Sequence, residues 1–509
     1  MKSELFVSRR WTQTWAALRE EGILAEVHLE GQEEPDQVGR IVKARVTSVL
    51  PGIQSAFVAV GLDRDAFLHA SDLILPGEEP ADSVAETVLE GFSQEDEGPP
   101  RRRERKGART LPIESRLREG SEILVQIERE PLGSKGSRVT SYITLPGRRL
   151  VYLPQIPIRG ISRRIQDPDE RERLLPIVRN LPAPSGGFIV RTAGRGGSEE
   201  SFRADASGLV DTWEAIQARA AESRSPSVVH AELALHLRLL RDATVDGFER
   251  VVFDDPVLHR EAADYLGRVD PDLAARLRLH DGPRPLLEAY RLDQEIQKAI
   301  RPKVWLRSGG FVVIQQTEAL VSIDVNTGRF VGKRDVEETV LRTNLEAAEE
   351  IARQLRLRDL GGIIVVDFID MENAGSRSQV QETLERALRR DRARSKVVGL
   401  GELGLLQLTR KRSRDGLDNR MTRPCPLCAA HGRVKSVETV ACEAMAEVQR
   451  LLPMLDGQTM TVRAHPDVAR EIRIALQTTS SRSDTGRWPE IVVVDDPSLR
   501  PDQFDVLAI

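Results

Sequence analysis

Two apolar runs, ALVSID (Ala319–Asp324) and GIIVVD (Gly362–Asp367), each end in an aspartate, and the stretch between them is patterned as a helix. Val336, Val340, Ala347, Ile351 and Leu355 keep helical spacing, Asp335 is placed to cap the start and Gly361-Gly362 to end it. A strand, a long helix and a second strand form the crossover that returns a chain parallel to itself. Both aspartates then lie towards the C-terminal ends of their strands, where open α/β sheets bind ligands. A carboxylate there is costly unless it is paired, hydrogen-bonded or bound to a metal.

Two converging carboxylates repel each other unless one takes a proton or a cation sits between them. Oxygen donors with few side chains suit Mg²⁺. Asn326, two residues after Asp324, shares its face of the strand and can orient a carboxylate or a water. No cysteine or histidine falls near either aspartate, which argues against a soft-metal site or a histidine-based nucleophile. The competing reading has the two aspartates capping helices or pairing with the abundant arginines.

A second metal signal is RPCPLC, where Cys425 and Cys428 have knuckle spacing. A closed zinc site takes four ligands, and the chain offers one such pair. His431 can supply a third ligand, or a second copy can donate its own pair across a two-fold axis. Cys442, in the helical run TVACEAMAEVQRL, is expected as a core thiol.

At 509 residues the chain is too long for one core, so several domains are expected. No apolar run is long enough to span a membrane, and MKSELFVSRRWTQTW lacks the apolar core of a signal peptide. Three cysteines make no disulfide framework and point to a reducing cytoplasm. A net charge of −5 confines nucleic-acid contact to local basic patches. RRDRAR (Arg389–Arg394) and RKRSRDGLDNR (Arg410–Arg420) are expected to meet RNA, with solvated surface as the rival. The charged stretch from Gly77 to Arg109 reads as a loop insertion.

Short β-rich runs in GRIVKARVTSVLPGIQSAFVAVGLDRDAFLHASDL and SEILVQIEREPLGSKGSRVTSYITL suit a five-stranded oligonucleotide-binding barrel interrupted by that insertion. Phe57 and Phe67 either stack on bases or fill its core. In GGFIVRTAGRGG, Arg191 and Thr192 close a strand beside glycine-rich turns, which suits an anion site or an ordinary surface turn.

With these motifs the chain resembles the ribonuclease E/G family. The resemblance is carried by SIDVNTG, NLEAAEEIARQLRLRDLGGIIVVDFIDM, RRDRAR, RPCPLC, GRIVKARVTSVLPGIQSAFVAVGLD and the terminal DQFDV. It implies a multidomain α/β and β protein. Residues 1–37 and 237–299 form a discontinuous ribonuclease-H-like domain, and 38–141 an S1 barrel with an insertion at about 77–109. Residues 142–236 form a 5′-sensor region, 300–420 a DNase-I-like catalytic domain, 421–436 a zinc-link and 437–509 a small C-terminal domain. The absence of a long arginine- and proline-rich tail points to the family's shorter branch.

The resemblance also assigns roles. Asp324 and Asp367 are the Mg²⁺ ligands and Asn326 their support. Phe57, Phe67, Lys135 and Arg394 contact RNA, with Arg394 near the active site. Gly147, Val151, Arg163, Arg191 and Thr192 form a 5′-monophosphate pocket, and Cys425 and Cys428 share Zn²⁺ between chains. The implied activity is Mg²⁺-dependent cleavage of single-stranded RNA, in ribosomal RNA precursors and messengers, by a homodimer or dimer of dimers. After Cys428 the family's glycines are replaced by Ala429, Ala430 and His431. The rival is a non-catalytic S1-type RNA-binding scaffold.

Overall fold

A computed structural model describes residues 2–31, 36–75, 112–130, 136–243, 247–328, 336–400, 405–412, 415–428, 432–451, 459–480 and 490–508. The charged insertion, Lys135, Asp335 and His431 lie outside these residues. The protein is a mixed α/β chain of two compact units, Met1–Met421 and Thr422–Ile509.

Three antiparallel strands, Ser3–Arg10, Gln13–Glu20 and Ile23–Gly31, begin the first unit. They share one sheet with Arg250–Phe253 and Leu277–Leu279, which lie more than two hundred residues later in the chain. Arg250–Phe253 runs parallel to Ser3–Arg10 in the register Glu4↔Arg250.

The next five strands close a barrel. In spatial order they are Ile41–Leu50, Ser55–Ala59, Ala66–His69, Arg138–Thr140 and Glu122–Arg129, which returns to Ile41–Leu50. The third and fifth strands in sequence pair in parallel and the others antiparallel, the order of an oligonucleotide-binding barrel. Alternate residues such as Val42, Ala44, Val46, Ala56, Val58 and Leu68 fill its core.

A four-stranded sheet follows, ordered Arg159–Ile161, Gly187–Val190, Leu150–Leu153 and Leu145–Pro146. Helices Pro168–Arg179 and Glu199–Glu222 cover one face through Leu174, Val178, Phe202, Ala206 and Trp213.

The sheet that carries the aspartates has six strands. Their order is Lys303–Trp305, Phe311–Gln316, Leu320–Asn326, Gly362–Asp367, Leu405–Arg410 and Ser395–Leu400. Leu320–Asn326 and Gly362–Asp367 pair in parallel, as the crossover pattern predicts. Val321, Ile323, Val325, Ile364 and Val366 pack against Val340, Ala347, Ile351 and Leu355 of helix Val336–Leu357 and against Val380 and Leu384 of helix Ala374–Leu388. Because strand side chains alternate, the intervening residues all face the other side, which neither of these two helices covers.

Helix Val336–Leu357 ends differently from expectation. Asp359, and not a glycine, takes the left-handed conformation (φ 49°), while the amides of Asp359 and Leu360 return to the carbonyls of Arg356 and Leu355. Such a Schellman end usually takes glycine. Here the Asp359 carboxylate accepts from Arg410 at 2.8 Å, which holds the turn from outside.

Arg410 also corrects part of the reading of the second basic run, 410–420, as an RNA contact. Its guanidinium is buried, ion-paired to the buried Asp391 at 2.6 Å and donating to the Leu360 carbonyl. Arg420 donates to the Leu29 carbonyl and pairs with Asp36. Arg412 donates to the Gly361 carbonyl. These groups tie strands and turns together and are spent on structure.

In the second unit, Met460–Ala464 lies between a parallel neighbour, Ile491–Asp495, and an antiparallel one, Phe504–Ala508. Val440, Ala444 and Val448 of helix Val437–Leu451 and Val468 and Ile472 of helix Pro466–Ser480 complete its core. Cys442 corrects its assignment as a core thiol: it is exposed, because the buried stripe of its helix runs through residues 440, 441, 444 and 448. Among the described residues no helix is long and apolar enough to cross a membrane.

Removing one partner of a buried ion pair costs about 3–5 kcal/mol. Arg410→Ala should lower stability by that order in chemical denaturation of the full chain. Adding Asp391→Ala should cost less than it does alone, and strictly additive losses contradict the shared pair.

Candidate active site

Asp324 and Asp367 are register partners on adjacent parallel strands. Neighbouring strands lie about 4.8 Å apart, so the two carboxylates leave the sheet side by side. The core residues on either side of them in sequence, Ile323, Val325 and Val366, fix which way they point. Both aspartates are exposed on the open face.

Asp324 accepts one hydrogen bond from the Asn326 side-chain amide, at 2.8 Å. Asp367 has no hydrogen-bond or ion-pair partner among the described residues. Asp367 does not cap the helix that follows it, which takes Asn373 as its cap. Among the described residues, the readings in which these aspartates cap helices or pair with arginines have no contact behind them. Among the described residues no group of three or more His, Cys, Asp or Glu side chains gathers around one metal position. The donor set is two carboxylates and an amide, oxygen chemistry that fits a hard divalent cation keeping several waters.

The turn after Asn326 is shaped by Gly328, whose φ is 61°. A Cβ there would also lie 2.5 Å from the Gly309 carbonyl. Beyond Asp367, the fully buried Asn344 donates to the Ile369 carbonyl at 2.8 Å and accepts from the Ile369 amide at 3.1 Å. Arg377 donates to the Met371 carbonyl at 2.6 Å. Asn344 is a positioning residue that sequence reasoning missed. Its signal was legible, since it lies four residues after Val340 and three before Ala347, a polar side chain in an apolar stripe.

Arg394 is not brought to this pair. It precedes the edge strand Ser395–Leu400, whose start lines up through Arg410 with Gly362. That is the sheet end opposite Asp367, five residues or roughly 17 Å along the strand. A cavity of about 1070 Å³, lined by Lys298, Lys303, Trp305, Glu346, Arg353 and Arg386 among others, lies at the edge strand Lys303–Trp305, and neither Asp324 nor Asp367 lines it. Arg353 and Arg356 beside it are ion-paired to Glu350 and to Glu20 and Glu26.

On the barrel, Phe57 and Phe67 face each other across two strands with ring centroids 6.0 Å apart, edge to face. Both are only partly buried and stand outside the barrel core. The choice between core and surface resolves to the surface.

The five residues read as a phosphate pocket are grouped by the sheet at 145–190. The Gly147 carbonyl accepts from Arg191, whose guanidinium also pairs with Asp242 at 2.6 Å. Burial alone would raise the Asp242 carboxyl, but the Arg241 and Arg191 guanidiniums outweigh it and hold it well below the usual range. A Cβ on Gly147 would fall 2.7 Å from Asp205, which accepts from the amides of Arg148, Arg149 and Leu150. The Thr192 hydroxyl is exposed and 3.3 Å from that of Ser162. Arg163 is exposed with no partner among the described residues. The Val151 side chain is buried with Leu153, Ile156 and Ile189, which leaves only its main chain to meet a ligand.

In the second unit Cys425 and Cys428 form a turn. Backbone amides of Cys428 and Leu427, then the Cys428 side chain, hydrogen-bond the Cys425 sulfur and hold its thiol below the ordinary cysteine range. The Gly432 amide donates to Cys428 Sγ at 3.3 Å. Amides aimed at sulfur favour the thiolates that a zinc ion takes as ligands.

Residues 144–413 match the family model described as the ribonuclease E/G family. The chain is 38% identical to ribonuclease G of Salmonella typhimurium over 509 residues, covering all of both chains. It is 41% identical to ribonuclease G of Haemophilus influenzae over 514 residues, 99% of each. Against ribonuclease E of Escherichia coli it is 34% identical over 521 residues, all of this chain and 46% of that protein.

Two outcomes follow. Asn344→Ala should lower kcat several-fold with little change in KM, because it loosens the segment after Asp367 without touching RNA; a pure KM effect contradicts this. In chelator-treated protein, alkylation of Cys425 should set in at lower pH than for an ordinary cysteine, and mass mapping of the labelled peptide reads it.

Proposed function

Because the chain belongs to the ribonuclease E/G family and is an endoribonuclease of the ribonuclease G type, we propose that Asp324 and Asp367 are its catalytic pair and hold one Mg²⁺. The supporting observation is their adjacency in register on an open sheet face, with no ion-pair partner for either among the described residues. Two such charges side by side need a cation or a shared proton. Asp324 and Asp367 would hold the ion, which would supply Lewis-acid stabilisation of the phosphoryl group and of the attacking water. Asn326 steadies Asp324, and Asn344 steadies the chain that carries Asp367. Hydrolysis by water leaves a 5′-phosphate and a 3′-hydroxyl.

The substrate is single-stranded RNA, including ribosomal RNA precursors and messengers, processed in the cytoplasm. Phe57 and Phe67 offer the barrel's stacking surface, with Lys135 and Arg394 contacting the strand away from the scissile bond. The 5′-monophosphate docks at Arg163, Thr192 and the main chain around Gly147 and Val151, and Arg191 joins by exchanging its contact with Asp242. Cys425 and Cys428 bind Zn²⁺ together with the same pair from a second copy, clipping a homodimer or a dimer of dimers. Their converging sulfurs and the amides around them support this, since two thiolates fill half a tetrahedral site.

The domain names follow the same reading. The sheet that joins residues 1–37 to 237–299 is ribonuclease-H-like, and 38–141 is an S1 barrel. Residues 142–236 are the 5′ sensor and 300–420 a DNase-I-like catalytic domain. The zinc-link is 421–436, and 437–509 is the small C-terminal domain.

Asp367→Asn should abolish RNA cleavage under Mg²⁺ while leaving RNA affinity within about twofold; retained cleavage contradicts the assignment, and an absence of cleavage in the wild type favours a scaffold. A 2′,3′-cyclic phosphate product contradicts attack by water. Chelation of Zn²⁺ should halve the mass measured by light scattering.

A further inference from the structure

The face that carries the aspartates holds a second feature. Trp305 stands opposite Phe311, and Phe311 stands opposite Asn326, so these three form one row across three strands. Lys303, Val313, Asp324 and Asp367 form the adjacent row. Trp305 and Phe311 meet edge to face with centroids 5.4 Å apart. The Lys303 ammonium lies 3.6 Å from the Phe311 centroid and 4.1 Å from that of Trp305. Trp305 is 65% exposed. A single exposed aromatic is unremarkable. Two rings braced by one ammonium through cation–π contact are a preformed surface.

We propose that Trp305 and Phe311, braced by Lys303, are a base-stacking platform for the nucleotide that flanks the scissile phosphate. Phe311 is the diagonal neighbour of Asp324, roughly 7–8 Å away. A strand whose phosphate lies at the carboxylates therefore carries a flanking base across these rings. Aromatic faces accept any base, and the ammonium complements the adjoining phosphate. The occupant is RNA because the platform is continuous with the hydrolytic site of an endoribonuclease. This rests on the reading of Asp324 and Asp367 as the catalytic pair.

The test uses the full chain and single-site RNA oligomers in which one base at a time, on either side of the cut, is removed. In the wild type, one abasic position beside the scissile bond should lower kcat/KM about tenfold, mainly through KM. Trp305→Ala should show a similar loss on intact RNA and no further loss at that position, while Trp305→Phe keeps most of the wild-type dependence. Losses that simply multiply overturn the platform, as does a Trp305→Ala enzyme with unchanged kcat/KM. A change in oligomeric state with the base dependence intact makes the face a contact between copies and also overturns it. Asp367→Asn in the same assay reports on the hydrolytic pair alone, because the coupling is read from the wild type and the Trp305 variants.

Discussion

The parallel pairing of Leu320–Asn326 with Gly362–Asp367 is the constraint on which the rest depends. Register sets Asp324 beside Asp367, and a slip of one residue would turn one carboxylate into the core. The apolar residues that alternate with them prevent that slip, since Ile323, Val325 and Val366 are buried against the two helices. Packing free energy thereby holds two like charges together that would otherwise separate. On the proposed function, the repulsion that remains makes the site receptive to a cation.

The segments around the pair are held by side-chain hydrogen bonds and ion pairs. Helix Val336–Leu357 joins the two strands and carries Asn344, whose amide bridges both main-chain groups of Ile369. The far end of that helix is closed by Asp359 and Arg410, a buried charge network that anchors the strand Leu405–Arg410 to the same turn. Interactions along this helix and at its C-terminal end therefore bear on the positions of two side chains on the other face of the sheet. Among the described residues that face stays open, which suits the proposed entry of a polymer.

Much of this was legible in sequence. The strand–helix–strand pattern predicted the parallel pair and the aspartates at its ends, and the β-rich runs predicted a barrel that proves closed. What sequence could not separate were residues of one type in two environments. Arg410 and Arg420 read as basic surface because charge density is visible in a sequence and burial is not; their partners Asp391, Asp359 and Asp36 are distant in the chain or in another turn. Cys442 read as core because its run is apolar, yet it falls one residue off the buried stripe. Asp359 took the place expected for glycine because a tertiary ion pair supports it. Arg394 lies at the wrong end of the sheet for the role expected beside the aspartates, which required knowing the direction of the last strand. The Trp305–Phe311 pair was invisible until the edge strand's register was known.

The central claim, two carboxylates meeting on one divalent ion, is tested most directly by Mn²⁺ binding read by electron paramagnetic resonance with an uncleavable RNA. Wild-type chain, Asp324→Asn and Asp367→Asn would be compared at one metal concentration. Either substitution alone should remove the same RNA-dependent site. If one variant retains that site at full occupancy, the two side chains do not share an ion and the account is wrong.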